Sequence, residues 1–463
     1  MKWYPRAHEN RLSPHHPSFQ ATRRAFFRAA AKNFVLLQIL FLALFSYIFG
    51  ALYQQTSHVH NLDILFVDYD SGGTVGNSIR QAYSTLQGNG FPTLVERPSS
   101  EFAGGAAELR HSVCKINYWA AIYVSPSASS IISNSLSSGD QYNKSTVLTY
   151  IWNQARYPTV GDSAISANIV KLSSVASTAF ASPSNNWTSV ISNPTPQTYA
   201  TFSQPWVLTD NNIQPTNQGS RLIYNTLVFI LILIQEFFYL GTINGLYEAF
   251  KMYSKLNPHR IIIFRNFVSL MYTLVGSCCV AGTIWAFRAG WHVNGNQFVL
   301  TWMVLWLFAH ANFLTLDVFT IWLPPPYIPM SLITWVILNI TSILQPFPLS
   351  PGFYTWSHAI PAHSAYNILL DIWSGGCNPT LSWALPVLFV YELSGLLLTG
   401  IGAHKRAHFA TCRKEEEEIA LRKKVDEAVR EGWVRKGSLE RLREKERSER
   451  PDSGYHPILF HCN

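Results

Sequence analysis

The stretch FVLLQILFLALFSYIFGALY, Phe34 to Tyr53, holds no charged residue and is long enough to cross a bilayer as a helix. A helix rising about 1.5 Å per residue needs roughly 20 apolar residues to span about 30 Å of hydrocarbon. Seven Lys and Arg precede it, among them Arg23, Arg24, Arg28 and Lys32. The run is too long, too far from the first residue and too poor in a small-residue cleavage signal for a signal peptide, so it reads as an uncleaved anchor.

Five further runs have the same character: Leu222 to Leu246, Ile261 to Phe287, Gln297 to Leu323, Tyr327 to Gln345 and Leu381 to Gly402. Composition agrees, with 13% charged and 14% aromatic residues in 463 and a mean hydropathy of +0.07. The expected fold class is a polytopic α-helical membrane protein with six transmembrane helices and an α/β extracytoplasmic domain inserted between helices 1 and 2. Pro324, Pro325 and Pro326 between the fourth and fifth spans force a tight hairpin.

Cations set the expected orientation. The N-terminal arm (1–33), the loop with Lys251, Lys255 and Arg260, and the tail (404–463) are all basic, whereas Arg288–Asn296 and Pro346–Thr380 together hold one Arg. Six spans place all three basic segments in the cytoplasm. The net charge of +8 sits mainly in these tails, beside hydrophobic segments, which suits an anionic leaflet rather than nucleic acid.

Between the first two spans lie residues 54–221. Leu62–Val67, Thr93–Glu96 and Trp119–Val124 read as strands, Val75–Leu86 and Gly105–Cys114 as helices, with a turn at Asp68–Gly73. Strands alternating with helices predict a small α/β domain. From Ser173 to Gly219 the chain is rich in Ser, Thr, Asn and Pro and reads as a stalk. Sequons at Asn143 and Asn186 would be glycosylated in a eukaryotic lumen. Cys114 and Cys377, the two cysteines on the outer side, are expected to form a disulfide, the alternative being two free thiols.

Four ionisable residues fall deep inside spans, where a charge costs at least about 2.5 kcal/mol: Glu236, His310, Asp317 and Glu392. His310 and Asp317, seven apart, share a helical face. They are the candidates for a substrate pathway or proton relay, against the alternative that they only lock helix packing. Arg265, near a span end, is expected to snorkel. Ala362–Trp373 is expected to lie as an interfacial helix with aromatic anchors. His358 and His363 lack partners for a metal set, and no Gly-Lys-Ser/Thr phosphate loop, His-Glu-x-x-His helix, nucleophile elbow or Cys-x-x-Cys is present. No enzyme activity, cofactor or metal is therefore expected. In the tail, Glu415–Glu418 precede Arg422, Lys423 and Lys424 along an expected solvated helix, interrupted at Gly432 and Gly437.

The order of one span, a large domain opening on an Asp-containing strand, and five close spans resembles ABC-2-type permeases and bacterial phage-infection-protein-like membrane proteins. In detail the chain is most similar to the fungal nitrosoguanidine-resistance protein family. The likeness runs over Lys32–His404 and is carried by NLDILFVDYD (61–70), YWAAIYVSP (118–126) and Gly375-Gly-Cys-Asn-Pro at the start of span six. It implies a plasma-membrane protein tied to tolerance of toxic compounds and to lipid distribution between leaflets. The lipid bilayer is the expected partner. ABC-2-type permeases also work with an ATP-binding subunit, absent from this sequence, so a separate ATPase or a homo-oligomer is implied. The competing expectation is a non-transporting scaffold acting through its inserted domain and charged tail.

Overall fold

In the computed structural model the described residues are 16–182, 195–216, 226–288 and 291–430, with isolated positions at 187, 191, 441, 444 and 445. Two compact units divide the chain: residues 1–243 with 265–399, and residues 244–264 with 400–463.

In the first unit, α1 (Gln20–Ala51) leads into β1 (Asp63–Asp68), α2 (Thr74–Leu86), β2 (Thr93–Arg97), α3 (Ala106–Cys114), β3 (Ala120–Val124), α4 (Ala128–Ser138) and β4 (Leu148–Trp152). A helical segment opens at Pro158–Val160, passes through a π-helical stretch, Gly161–Ser166, and continues as α5 (Ala167–Phe180). Then come α6 (Pro196–Ser203) and β5 (Thr209–Asn212). The sheet order is β2-β1-β3-β4-β5. β1 pairs parallel with β2 and β3, β3 antiparallel with β4, and β4 parallel with β5.

Alternation along β1 explains the layers. Ile64 and Phe66 enter the core shared with Val75 and Ile79 of α2 and Ile169 and Leu172 of α5. Leu65 and Val67 face the opposite way, onto Leu109 and Val113 of α3 and Cys377. Covering on both faces is why β1 is an apolar run rather than an alternating one.

The expected stalk is corrected over its described part. Ala176 and Phe180 are buried, Trp206 donates from Nε1 to Ser173 Oγ (3.0 Å), and β5 completes the sheet. Polar composition hid these elements because helical spacing of a few apolar residues, not their density, buries α5.

Beyond the sheet lie α7 (Val228–Ala249), α8 (Pro258–Ala286), α9 (Gly295–Trp322), α10 (Ile328–Leu344), α11 (Pro361–Trp373) and α12 (Leu381–Arg430). Among the described residues six helices are long and apolar enough to cross a membrane: α1, α7, α8, α9, α10 and the first part of α12. α9 is the most enclosed and α1 the least. α1 rests on the segment after α10, where Tyr354 donates to Tyr47 O (2.7 Å) and Gln345 Nε2 to Ala51 O (2.6 Å).

α11 corrects the expected interfacial helix. Ala362, Ser364, Ala365, Tyr366, Leu369 and Trp373 are buried against the bundle, so its amphipathic spacing serves packing on more than one side. Span six and the charged tail helix form one continuous helix, Leu381–Arg430, which runs through Pro386, Gly400 and Gly402.

In the second unit, Arg406 Nη1 donates to Tyr253 Oη (3.0 Å) and the rings of His259 and His404 meet edge to face at 5.0 Å. Lys251–Glu417 (3.7 Å) and Arg413–Glu248 (3.6 Å) are exposed ion pairs, each worth little alone.

Candidate functional site in the helical bundle

α9 carries His310, Phe313 and Asp317 on one stripe, set by spacings of three and four. α8 places Arg265 and Ser269 one turn apart against that stripe. Arg265 grips Asp317 with both arms of its fork, Nη2 to Oδ1 at 2.8 Å and Nε to Oδ2 at 3.1 Å. Both side chains are buried, and Thr320 Oγ1 lies 3.0 Å from Asp317 Oδ1 as a further donor. The expectation that Arg265 snorkels is thereby corrected. Its position four residues inside an apolar run was the available signal, but a partner 52 residues away leaves no trace in local spacing.

Two turns back along α9, His310 uses both ring nitrogens. Nδ1 is hydrogen-bonded to Glu392 Oε1 of α12 (2.6 Å) and Nε2 to Ser269 Oγ (3.1 Å). Gly395, three residues after Glu392, allows α12 this close: a Cβ there would lie 2.6 Å from Leu314 Cβ of α9. Glu392 Oε2 is buried without a hydrogen-bond partner.

Glu236 of α7 stands apart. It is 0% exposed, and neither carboxyl oxygen has a hydrogen-bond partner. α7 approaches α8 closely beside it, since a Cβ on Gly276 would fall 2.3 Å from Gln235 Nε2. Tyr239, one turn on from Glu236, meets Phe313 of α9 at 5.4 Å between ring centres, and Phe313 in turn stacks near His310 at 6.3 Å.

Of the four expected residues, then, the structure joins His310 to Glu392, pairs Asp317 with an Arg the sequence reading had set aside, and leaves Glu236 unpartnered. Sequence reasoning also missed two amide anchors. Asn312 Oδ1 accepts from Trp335 Nε1 (2.8 Å), and Asn339 Oδ1 accepts from the Ala362 amide (3.2 Å), tying α9, α10 and α11 together. An unbonded carboxyl in the same bundle as a fully used ion pair gives the bundle an acid able to accept a proton, a cation or a polar headgroup.

Among the other expected positions, Cys114 and Cys377 are disulfide-bonded, S–S 2.02 Å, joining α3 to the turn before α12. Asn143 is exposed, and its Oδ1 accepts from Ser145 N (3.0 Å). Asn186 lies outside the described residues. His358 and His363 meet edge to face at 4.8 Å, with His363 engaged by Ser342 O and Asn367. Among the described residues no group of three His, Cys, Asp or Glu is arranged to hold a metal ion.

A family model described as a protein of unknown function, DUF3533, matches residues 33–397. The chain belongs to the DUF3533 family. The match covers α1, the α/β domain and the bundle as far as α12, and so includes Glu236, Arg265, His310, Asp317 and Glu392. It ends at residue 397, before the charged part of α12 begins. No solved structure matches this DUF3533 member.

Proposed function

We propose that this DUF3533 protein is a multi-pass membrane protein that moves, or redistributes between leaflets, an amphipathic compound or lipid, using the polar layer of α7, α8, α9 and α12. The supporting observation is Glu236, a carboxyl fully buried in an apolar helix with neither oxygen bonded. An acid that only locked helices together would be hydrogen-bonded across the bundle, as Asp317 is. The reading needs no catalysis by this chain. Energy would come from an ATP-hydrolysing partner or through a second copy of the chain, in keeping with the resemblance to ABC-2-type permeases and nitrosoguanidine-resistance proteins.

A plasma-membrane location with both termini cytoplasmic fits the same reading. Residues 244–264 and 400–463, two of the basic segments, belong to one compact unit, which asks for an even number of crossings between them.

A second reading, a non-transporting scaffold, is favoured by the 50-residue α12, whose charged half presents an exposed surface from Glu415 to Lys424. The two separate in cells lacking the protein, complemented with wild type, Glu236→Gln or a chain ending at His404, at matched surface abundance. Retention of a fluorescent phospholipid analogue and of a toxic alkylating compound is read. Transport predicts that wild type lowers retention and Glu236→Gln does not. Equal behaviour of the two, with loss on truncation, replaces transport by the scaffold.

A further inference from the structure

Arg156, in the turn between β4 and the helical segment leading into α5, is 5% exposed. Its guanidinium lies over the ring of Trp119 at 4.2 Å from the centroid. Among the described residues nothing accepts from its N–H groups and no carboxylate pairs with it, and Nη1 is wholly buried without a partner. Arg265 shows what the same side chain does when this chain supplies the counter-ion: two bonds to one carboxylate.

We infer that Arg156 is the anchor of an anion-binding site for a small oxyanion group, a phosphate or a phospholipid headgroup, at the junction of the α/β domain and α11.

The geometry carries the assignment. A guanidinium offers five N–H donors in its own plane, a fork that matches a bidentate oxyanion, and Arg156 holds that fork against Trp119 with Nη1 unmet. A buried cation with unmet donors is costly, and folded proteins rarely keep one without a ligand or a role. Burial draws its pKa down to about 10, so the group stays cationic at neutral pH. Asp162, six residues on, is engaged by Gln154 Nε2 (2.9 Å).

The surrounding backbone is held in place rather than left to relax. Tyr157 sits in the left-handed region (φ 52°), and its amide donates to Tyr366 Oη of α11 at 3.3 Å. Asn153 Nδ2 donates to the carbonyl of disulfide-bonded Cys377 at 3.3 Å. Gln154 Oε1 accepts from the amide of Thr216, whose hydroxyl oxygen is a second buried polar atom without a partner. A π-helical stretch follows at Gly161–Ser166, and such irregularities recur at functional sites. Arg156 lies outside all six candidate spans, and the inference stands whether or not the bundle transports.

The test uses the purified full-length protein in detergent. In one arm, inorganic phosphate is titrated against chloride at constant ionic strength, with melting temperature and amide exchange of the 153–160 peptide as readouts. In the other, phospholipid retained through purification is counted by native mass spectrometry. A free-anion site gives a phosphate-specific rise in melting temperature with slowed exchange in that peptide. A headgroup site gives about one anionic phospholipid per chain, lost in Arg156→Gln. Arg156→Lys, which keeps the charge but not the fork, weakens either by about tenfold. Wild type that binds neither, binding that leaves 153–160 exchange unchanged, or binding undiminished in a folded Arg156→Gln protein overturns the site. The wild-type exchange readout decides even if the variants fail to fold.

Discussion

Two buried acids within the DUF3533 match are treated in opposite ways. Asp68, at the end of β1, accepts from the amides of Asp70 (3.0 Å) and Gly72 (3.2 Å) and from Arg80 (2.9 Å), which also grips Glu96. Glu236, in α7, accepts from nothing. Both are buried. The α/β domain therefore uses its acid as a knot that fixes a turn, whereas the bundle keeps one acid unspent. Asp317, bonded on both oxygens within the same bundle, shows that an acid there can be fully partnered.

The comparison breaks first at Asp317. If the Arg265–Asp317 pair is scaffold, Asp317→Leu strands a buried guanidinium and should cost about 3–5 kcal/mol. Replacing both partners, as Arg265→Met with Asp317→Leu, should recover most of that loss, because two well-packed apolar residues can be neutral in place of a buried pair. Thermal unfolding in detergent reads both. A double variant as damaged as the single one would mean that the pair does more than hold α8 to α9.

How far these roles were legible depended on the distance over which each is set. β1, α2, β2, α3 and β3 could be read because glycines, short apolar runs and helical spacing are local signals. Asp68–Gly73 was readable as a turn for the same reason. Beyond β3 the reading lost α4, β4, α5 and β5. Ser- and Thr-rich composition resembles solvated chain, and β5, with the sequence TDNN, enters the sheet only because β4 offers it an edge. In the bundle, hydropathy located the spans and the rarity of ionisable residues picked out the candidate residues. Partnership did not follow, because Arg265 to Asp317 and His310 to Glu392 are joined by packing across 52 and 82 residues. Arg156 gave no signal at all: an Arg beside aromatic residues in an ordinary loop becomes notable only once it is buried.

A smaller effect is expected at the knot. Asp68→Asn keeps the shape but weakens a charge-assisted bond to Arg80 and leaves two backbone donors with a poorer acceptor. It should cost about 1.5–3 kcal/mol, the range for hydrogen bonds to a charged group. Gly76→Ala should act through the same carboxylate, since a Cβ there would come within 2.1 Å of Asp68 Oδ2. The combined variant should then cost less than the sum, as expected for residues sharing one network. Simple additivity, measured by denaturation, would separate Gly76 from the knot.

Glu236 should give the smallest change and the opposite sign. An acid bonded to nothing contributes no hydrogen bond to lose, while its burial is a standing cost that an apolar side chain of similar length removes. Glu236→Met is therefore expected to leave the melting temperature unchanged or raise it, by about 1 kcal/mol or less in stability, while abolishing the lowered retention of lipid analogue or toxic compound. The combination is the informative result, because a residue kept for packing loses stability when removed, and a residue kept for function loses only function. A Glu236→Met protein that melts markedly earlier would place Glu236 with Asp317, as part of the scaffold, and would remove the main support for transport through the bundle.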